Sequence, residues 1–223
     1  LKKMNNDLGA RTKKAKEISK MSRSIVSSIV KGDAPEDRIK QRCVMATGDP
    51  GFADLMRFNN EPIRAGIKAI IEKAPIFTDV TMGQAGITKL GHRCNVRCVL
   101  EEGDEIAGKT GLTRTSAGFM ALEKELDGAI IVIGNAPSAA LMVCRMVERG
   151  LHPGLIVATP VGFVNAAKSK EMVRTFDTPS ITCTGTRGGT PVAVAVVNEL
   201  VEIAIEGKKI FDDKGNISRT MNG

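Results

Sequence analysis

The string Gly103-Asp-Glu-Ile-Ala-Gly108-Lys109-Thr110 satisfies G-x-x-x-x-G-K-[ST], the spacing of a phosphate-binding loop that follows a strand and opens a helix. Such a loop needs backbone amides facing phosphate oxygens. Here Glu101, Glu102, Asp104 and Glu105 crowd the same stretch with negative charge. No later strand ends cleanly in a magnesium-holding aspartate, and Asp79 after Pro-Ile-Phe-Thr is a poor candidate, so nucleotide binding is the weakest of three readings. Cys94 and Cys98, four apart on an apolar run, face one side of a strand. No second Cys/His pair follows them, so two small buried side chains are expected rather than a metal site. With His92 and His152 as the only histidines, Ser-His-Asp and Cys-His catalysis have little material. His152 sits before Pro153 in a turn and reads as structural, whereas His92 lies in a basic turn that can meet an anion. A different kind of junction occurs at Cys43-Val44-Met45-Ala46, where an apolar run breaks into Thr47-Gly48-Asp49-Pro50. It reads as a buried strand ending in a polar loop, a place for a reactive side chain, yet the residue beside the junction is a methionine.

The elements that would position these groups follow from the apolar rhythm. Short apolar runs bounded by Gly or Pro alternate with amphipathic segments of about a dozen residues, the pattern of a parallel sheet with crossover helices. Strands are expected at 43–47, 75–80, 95–100, 129–134, 155–159 and 180–185, giving a doubly wound, mostly parallel α/β fold with helices on both faces. An N-terminal helix within residues 1–32 carries Ile18, Met21, Ile25 and Ile29 on one stripe opposite its lysines and arginines. The apolar segment 190–207 reads as a buried last helix, and 207–223 as a polar tail. One domain accounts for all 223 residues. The polar segments 47–49, 79–86, 134–138, 159–163 and 184–190 each follow an expected strand, so they should share the sheet edge where such folds bind ligands.

Composition narrows the ligand class. The net charge of +7 points to an anionic partner, but aromatic residues are only 3% of the chain, without Trp or Tyr. Nucleic-acid readers that stack bases on rings are therefore disfavoured. No apolar run approaches the ~18 residues that cross a bilayer, and no secretory signal is visible. Five scattered cysteines suit a reducing cytoplasm.

The strings Ile133-Gly-Asn-Ala-Pro-Ser138, Ala158-Thr-Pro-Val-Gly-Phe163 and Thr184-Gly-Thr-Arg-Gly-Gly-Thr190 come in an order and spacing that strongly resemble the precorrin-8X methylmutase family. The similarity extends through Gly48-Asp-Pro-Gly-Phe52, Asp79-Val-Thr-Met-Gly-Gln-Ala-Gly86 and Thr113-Arg-Thr-Ser116, covering about Arg42 to Leu200. The resemblance implies an isomerase of corrin (cobalamin) biosynthesis that moves the ring-C methyl from C11 to C12 of precorrin-8 or cobalt-precorrin-8. It implies a homodimer with a polycarboxylated tetrapyrrole near the subunit interface, and no cofactor, any cobalt belonging to the substrate. Substrate contacts are then expected from Thr47 and Gly48, from Met82 and Gly86, and from Arg114 and Thr115. Further contacts are expected from Gly134 and Asn135, from Pro160 and Gly162, and from Arg187, Gly188 and Gly189. The two arginines suit bidentate pairing with carboxylates, and the glycine loops leave room for the macrocycle.

Two positions depart from the family pattern. Met45 stands where the family has a histidine thought to protonate the tetrapyrrole, and Thr81 stands where it often has an arginine. A thioether cannot donate a proton, which leaves strain in the held macrocycle to supply part of the acceleration, or His92, Asp49 or a bound water to replace the donor. The alternative reading is a tetrapyrrole-binding homologue whose methylmutase activity is lost or altered.

Overall fold

Five of the six expected strands form, and they pair in parallel. The computed structural model describes residues 12–220, with side chains as far as Gly207. Its strands are β1 (Met56–Asn59), β2 (Ile76–Thr78), β3 (Val96–Cys98), β4 (Ile130–Ile133), β5 (Leu155–Ala158) and β6 (Ser180–Cys183), in the order β1-β6-β5-β4-β2-β3. Only the β1–β6 pair is antiparallel. The chain steps outward from β2 to β3 and then crosses to β4 on the other side of β2, so strand order reverses between β2 and β4. That reversal is the crevice where doubly wound sheets take ligands.

The sheet is buried on both faces, which is why its central strands are uninterrupted apolar runs. Alternation along β4 sends Ile130 and Val132 into one core and Ile131 and Ile133 into the other. The first core is closed by α2 (Pro35–Thr47), α3 (Pro62–Ile71) and α9 (Thr190–Thr220). The second is closed by α6 (Arg114–Ala121), α7 (Pro137–Glu148) and α8 (Ala166–Val173). Each fully buried Ile or Val here contributes about 1.5–3 kcal/mol relative to exposure. The short helices α4 (Thr81–Gly86) and α5 (Asp104–Thr110) fill the connections on either side of β3.

The segment expected as the first strand is helical. Residues 43–47 form the end of α2, which starts with Pro35 in its first turn beside Glu36 and Asp37 and stops at Gly48 in the left-handed conformation (φ 68°). Proline and acids at the start, and a left-handed glycine at the end, are helix boundary signals. Ile39 and Cys43, one turn apart, are the fully buried face of the helix. The true first strand, β1, lies later and pairs at the sheet edge.

The N-terminal helix forms as expected, whereas the C-terminal end differs from expectation. The N-terminal helix α1 spans Lys13–Ile29, capped by the Thr12 hydroxyl, and residues 1–11 lie outside the described residues. It packs against α2 through Val26 and Val30, next to Val44 and Met45. Its apolar stripe points away: Ile18, Met21, Ile25 and Ile29 are 50–64% exposed. At the other end α9 continues through the segment read as a polar tail, whose last residues, 221–223, fall outside the described part.

Candidate functional site

Because β2, β4, β5 and β6 are parallel, the segments after Thr78, Ile133, Ala158 and Cys183 leave the sheet on one edge. The antiparallel pairing of β1 sets Met56 opposite Cys183, which brings residues 49–55 to that same edge. All five polar segments therefore gather there, the 47–49 segment arriving from a helix C-terminus rather than a strand.

Two of these loops are locked together by backbone. The Gly162 N–H donates to the Thr186 carbonyl at 3.0 Å, and the Gly189 N–H donates to the Thr159 carbonyl at 2.7 Å. The approach is so close that a Cβ on Gly188 would lie 2.2 Å from the Thr159 carbonyl oxygen. Gly134 is needed for a similar reason: its Cβ would lie 2.5 Å from Cα of Thr190, where α9 begins.

The amides of the β4–α7 loop are already engaged. Asp79, 1% exposed at the end of β2, accepts from the Gly134 N–H at 3.1 Å and from the N–H groups of Asn135 and Ala136 at 2.7 Å each. Burial pushes its carboxyl up, and the three N–H donors pull it back. Asp79 thus ties the two strands that flank the switch point, and the amides of Gly134 and Asn135 face a carboxylate of the protein. The Asn135 side chain remains exposed.

Both arginines singled out in the sequence stand half-exposed at this edge. Arg187 pairs with Asp49 and lies over the Phe52 ring at 6.0 Å. Arg114, in the first turn of α6, makes a bidentate pair with Asp104 of α5. Exposed pairs of this kind are worth only about 0–1 kcal/mol, so an incoming carboxylate can share or displace either aspartate at little cost. Thr115 is buried in a hydroxyl cluster that joins Thr113, Ser116 and Ser138, bridging the starts of α6 and α7. Pro160 is buried, and Gly86 packs against Val194 of α9. Met82 is 64% exposed, and it is joined in exposure by Val161, Phe163 and Val164, with Phe163 at 95%. Phe163 closes the second signature string, but nothing in its spacing marks it as an exposed ring.

Met45, near the end of α2, lines a cleft of about 140 Å³ with Arg23, Arg38, Arg42, Glu199 and Glu206. Glu199 receives both Arg38 (2.7 Å) and Arg42 (3.3 Å), and burial holds Arg42 down against that attraction. Thr47 and Gly48 follow on the exposed end of the helix, next to the Asp49–Arg187 pair. His92 lies elsewhere. It precedes β3, so it sits toward the opposite edge of the sheet, and its turn occupies both ring nitrogens: Nδ1 accepts from the Cys94 N–H at 3.1 Å and Nε2 bonds the Thr88 carbonyl. Thr81, the other departure, opens α4 and approaches the Cys98 sulfur at 3.8 Å.

The phosphate-loop match is a helix. Asp104–Thr110 is α5, with Asp104 and Glu105 in its first turn, and Lys109 pairs with Glu105 one turn back at 2.5 Å. Gly103 is where α6 presses close, a Cβ there meeting the Arg114 carbonyl at 2.1 Å. The string therefore builds a helix start packed on α6 rather than a phosphate cradle. Among the described residues no group of three or more His, Cys, Asp or Glu side chains is placed to hold a metal ion. Burial pushes the Cys43 and Cys183 thiols up, which removes them as thiolate nucleophiles near neutral pH. Lys170 on α8, unnoticed in the sequence because its segment reads as a polar helix face, is fully buried beside Cys183.

Comparison with known proteins settles the lineage. The family model of precorrin-8X methylmutase matches residues 17–203. The chain belongs to the precorrin-8X methylmutase family. It is 43% identical over 210 residues to a cobalt-precorrin-8 methylmutase of Methanocaldococcus jannaschii, covering 88% of this chain and 98% of the relative. It is 35% identical to a precorrin-8X methylmutase of Pseudomonas aeruginosa, over 74% of this chain and 82% of that one. A crystal structure of precorrin-8X methylmutase from Thermus thermophilus superposes with a TM-score of 0.79 at 30% identity, covering 86% and 97% of the two chains. This member of the precorrin-8X methylmutase family thus presents its three signature loops along one sheet edge, two of them hydrogen-bonded to each other, and its phosphate-loop string is a helix whose Asp104 pairs with Arg114.

Proposed function

We propose that this protein moves the ring-C methyl group of a precorrin-8-type tetrapyrrole from C11 to C12, giving the corrin of cobalamin biosynthesis. The observation that carries the reading is the convergence of the family's three signature loops, with Arg187, beside the 47–49 segment at one sheet edge. A 1,5-sigmatropic shift makes and breaks its bonds within the substrate. The protein's contribution is to hold the macrocycle in a reactive shape and to supply charge where it develops. Arg114 and Arg187 are the groups for the peripheral carboxylates, and the basic balance of the chain suits a polyanion. Met82, Val161 and Phe163 offer an apolar floor for the ring system.

No cofactor is assigned to the reaction, and cobalt, where present, arrives in the substrate. The exposed stripe of Ile18, Met21, Ile25 and Ile29 supports a homodimer, since a second copy would cover it. No helix among the described residues is long and apolar enough to cross a membrane, and we place the reaction in the cytoplasm. The test is to incubate purified protein with precorrin-8 and with cobalt-precorrin-8 and follow conversion by absorbance and by a chromatographic shift without change in mass. Conversion of either supports the proposal. Tight binding with no conversion would instead favour a tetrapyrrole-binding homologue, with Met45 as the altered position.

A further inference from the structure

We propose that Lys170 is a positioning residue of the tetrapyrrole site, a buried ammonium that sets the 184–189 turn and thereby aims Arg187 at the substrate. This rests on the reading of these loops as the substrate edge. Lys170 is 0% exposed on α8, and its Nζ donates to the Arg187 carbonyl at 2.7 Å. The same Nζ lies 3.5 Å from the Cys183 sulfur, whose S–H reaches the same carbonyl at 3.2 Å. Two donors therefore converge on one peptide oxygen, that of the residue whose side chain is expected to meet a carboxylate.

The chemistry of the position explains why an amine stands there. Taking an ammonium out of water is costly, and burial holds its pKa down. Among the described residues Lys170 pairs with no carboxylate that would offset this cost. An apolar side chain would fill the space without the penalty, but it would leave the Arg187 carbonyl without its strongest donor. That carbonyl lies beyond the end of β6, outside the sheet ladder, in a turn continued by Gly189 (φ 122°). The turn is held to the neighbouring loop through Thr186 and Gly189, and the Lys170 contact fixes Arg187, one of the two residues between them. Arg174 donates to the Thr182 hydroxyl on the adjoining strand. Lys170 under the turn and Arg174 on α8, bonded to the strand before it, place positive charge beside Arg187, which favours an anionic ligand.

Two readouts test the role: amide hydrogen exchange in the free protein, and absorbance titration with a free-acid corrin such as cobyrinate. The variants are Lys170→Met, Arg187→Ala and the double substitution. Lys170→Met should speed exchange across residues 185–189 by about tenfold while β4 and α7 keep their protection. It should weaken corrin binding by about tenfold in the natural background and by less than about twofold beside Arg187→Ala, because a residue acting through Arg187 has nothing left to position. Unchanged exchange, unchanged affinity, or losses that simply add would each overturn the proposal. If Lys170→Met does not fold, Cys183→Ala removes the second contact to the same carbonyl and should loosen the same turn to a smaller degree, and a turn left fully protected there is also contrary. A natural protein that binds no corrin would refute the substrate reading instead, and the exchange result would still decide whether Lys170 sets the turn.

Discussion

Replacing Gly188 with alanine probes the interlock of the two signature loops. The added Cβ would stand 2.2 Å from the Thr159 carbonyl oxygen and 3.1 Å from that of Pro160, both backbone atoms that cannot swing aside. To reach an ordinary contact distance the turn must retreat by about 1 Å, which breaks the Gly189–Thr159 hydrogen bond and stretches that from Gly162 to Thr186. One backbone hydrogen bond lost and one weakened, together about 1–2 kcal/mol, plus about 1 kcal/mol of backbone strain, give a loss of roughly 2–3 kcal/mol. Gly185 in the same turn is the control: it has φ 71° but nothing within 4 Å of its Cβ position, so Gly185→Ala should cost only about 1 kcal/mol. The protein has neither Trp nor Tyr, so urea unfolding should be followed by far-UV circular dichroism. Corrin affinity should fall in Gly188→Ala more than in Gly185→Ala. Equal stability losses in the two variants would refute the interlock.

Asp79→Ala should destabilise the protein by about 3 kcal/mol, since three amide N–H groups lose their acceptor, and a loss below about 1 kcal/mol in urea unfolding would show that water replaces the carboxyl. Arg114→Ala and Arg187→Ala should each weaken corrin binding by about 1.5–3 kcal/mol in absorbance titrations, and unchanged affinity in both would confine these arginines to their aspartate pairs. Met45→His should raise turnover by about 10²-fold or more if protonation limits the rate. That gain should fall as pH rises through about 6.5, the ordinary imidazole value. The arginines Arg23, Arg38 and Arg42 and the carboxylates Glu199 and Glu206 line the same cleft and act on an imidazolium in opposite directions. A rate unchanged by the histidine assigns proton delivery to another group.

The parallel strands are legible in the sequence because they are buried on both faces, and runs such as Ile130–Ile133 and Leu155–Ala158 are short, apolar and bounded by turn residues. The 43–46 run is misleading, since four apolar residues at the end of a helix look like a short strand when periodicity is judged over so few positions. The boundary signals are present nonetheless, with Pro35, Glu36 and Asp37 opening the same helix and Gly48 just beyond its end. β1 escapes because an edge strand of four residues, only one of them buried, carries almost no pattern. The convergence of the polar loops follows from parallel pairing alone. What each loop does with its amides does not, because Asp79 meets Gly134 across 55 residues and Lys170 meets Arg187 across 17, contacts that only the folded chain creates. The phosphate-loop string shows the reverse case: its letters fit, but acids in the first turn favour a helix N-terminus over an anion cradle.

The most direct test of the corrin site is an equilibrium titration of the purified protein with a polycarboxylated corrin and, separately, with ATP, each repeated on Arg187→Ala and Lys109→Ala. A bound visible chromophore is expected, weakened by Arg187→Ala and left alone by Lys109→Ala, with no measurable binding of ATP. Micromolar ATP binding abolished by Lys109→Ala, together with no retention of the corrin, would contradict the assignment.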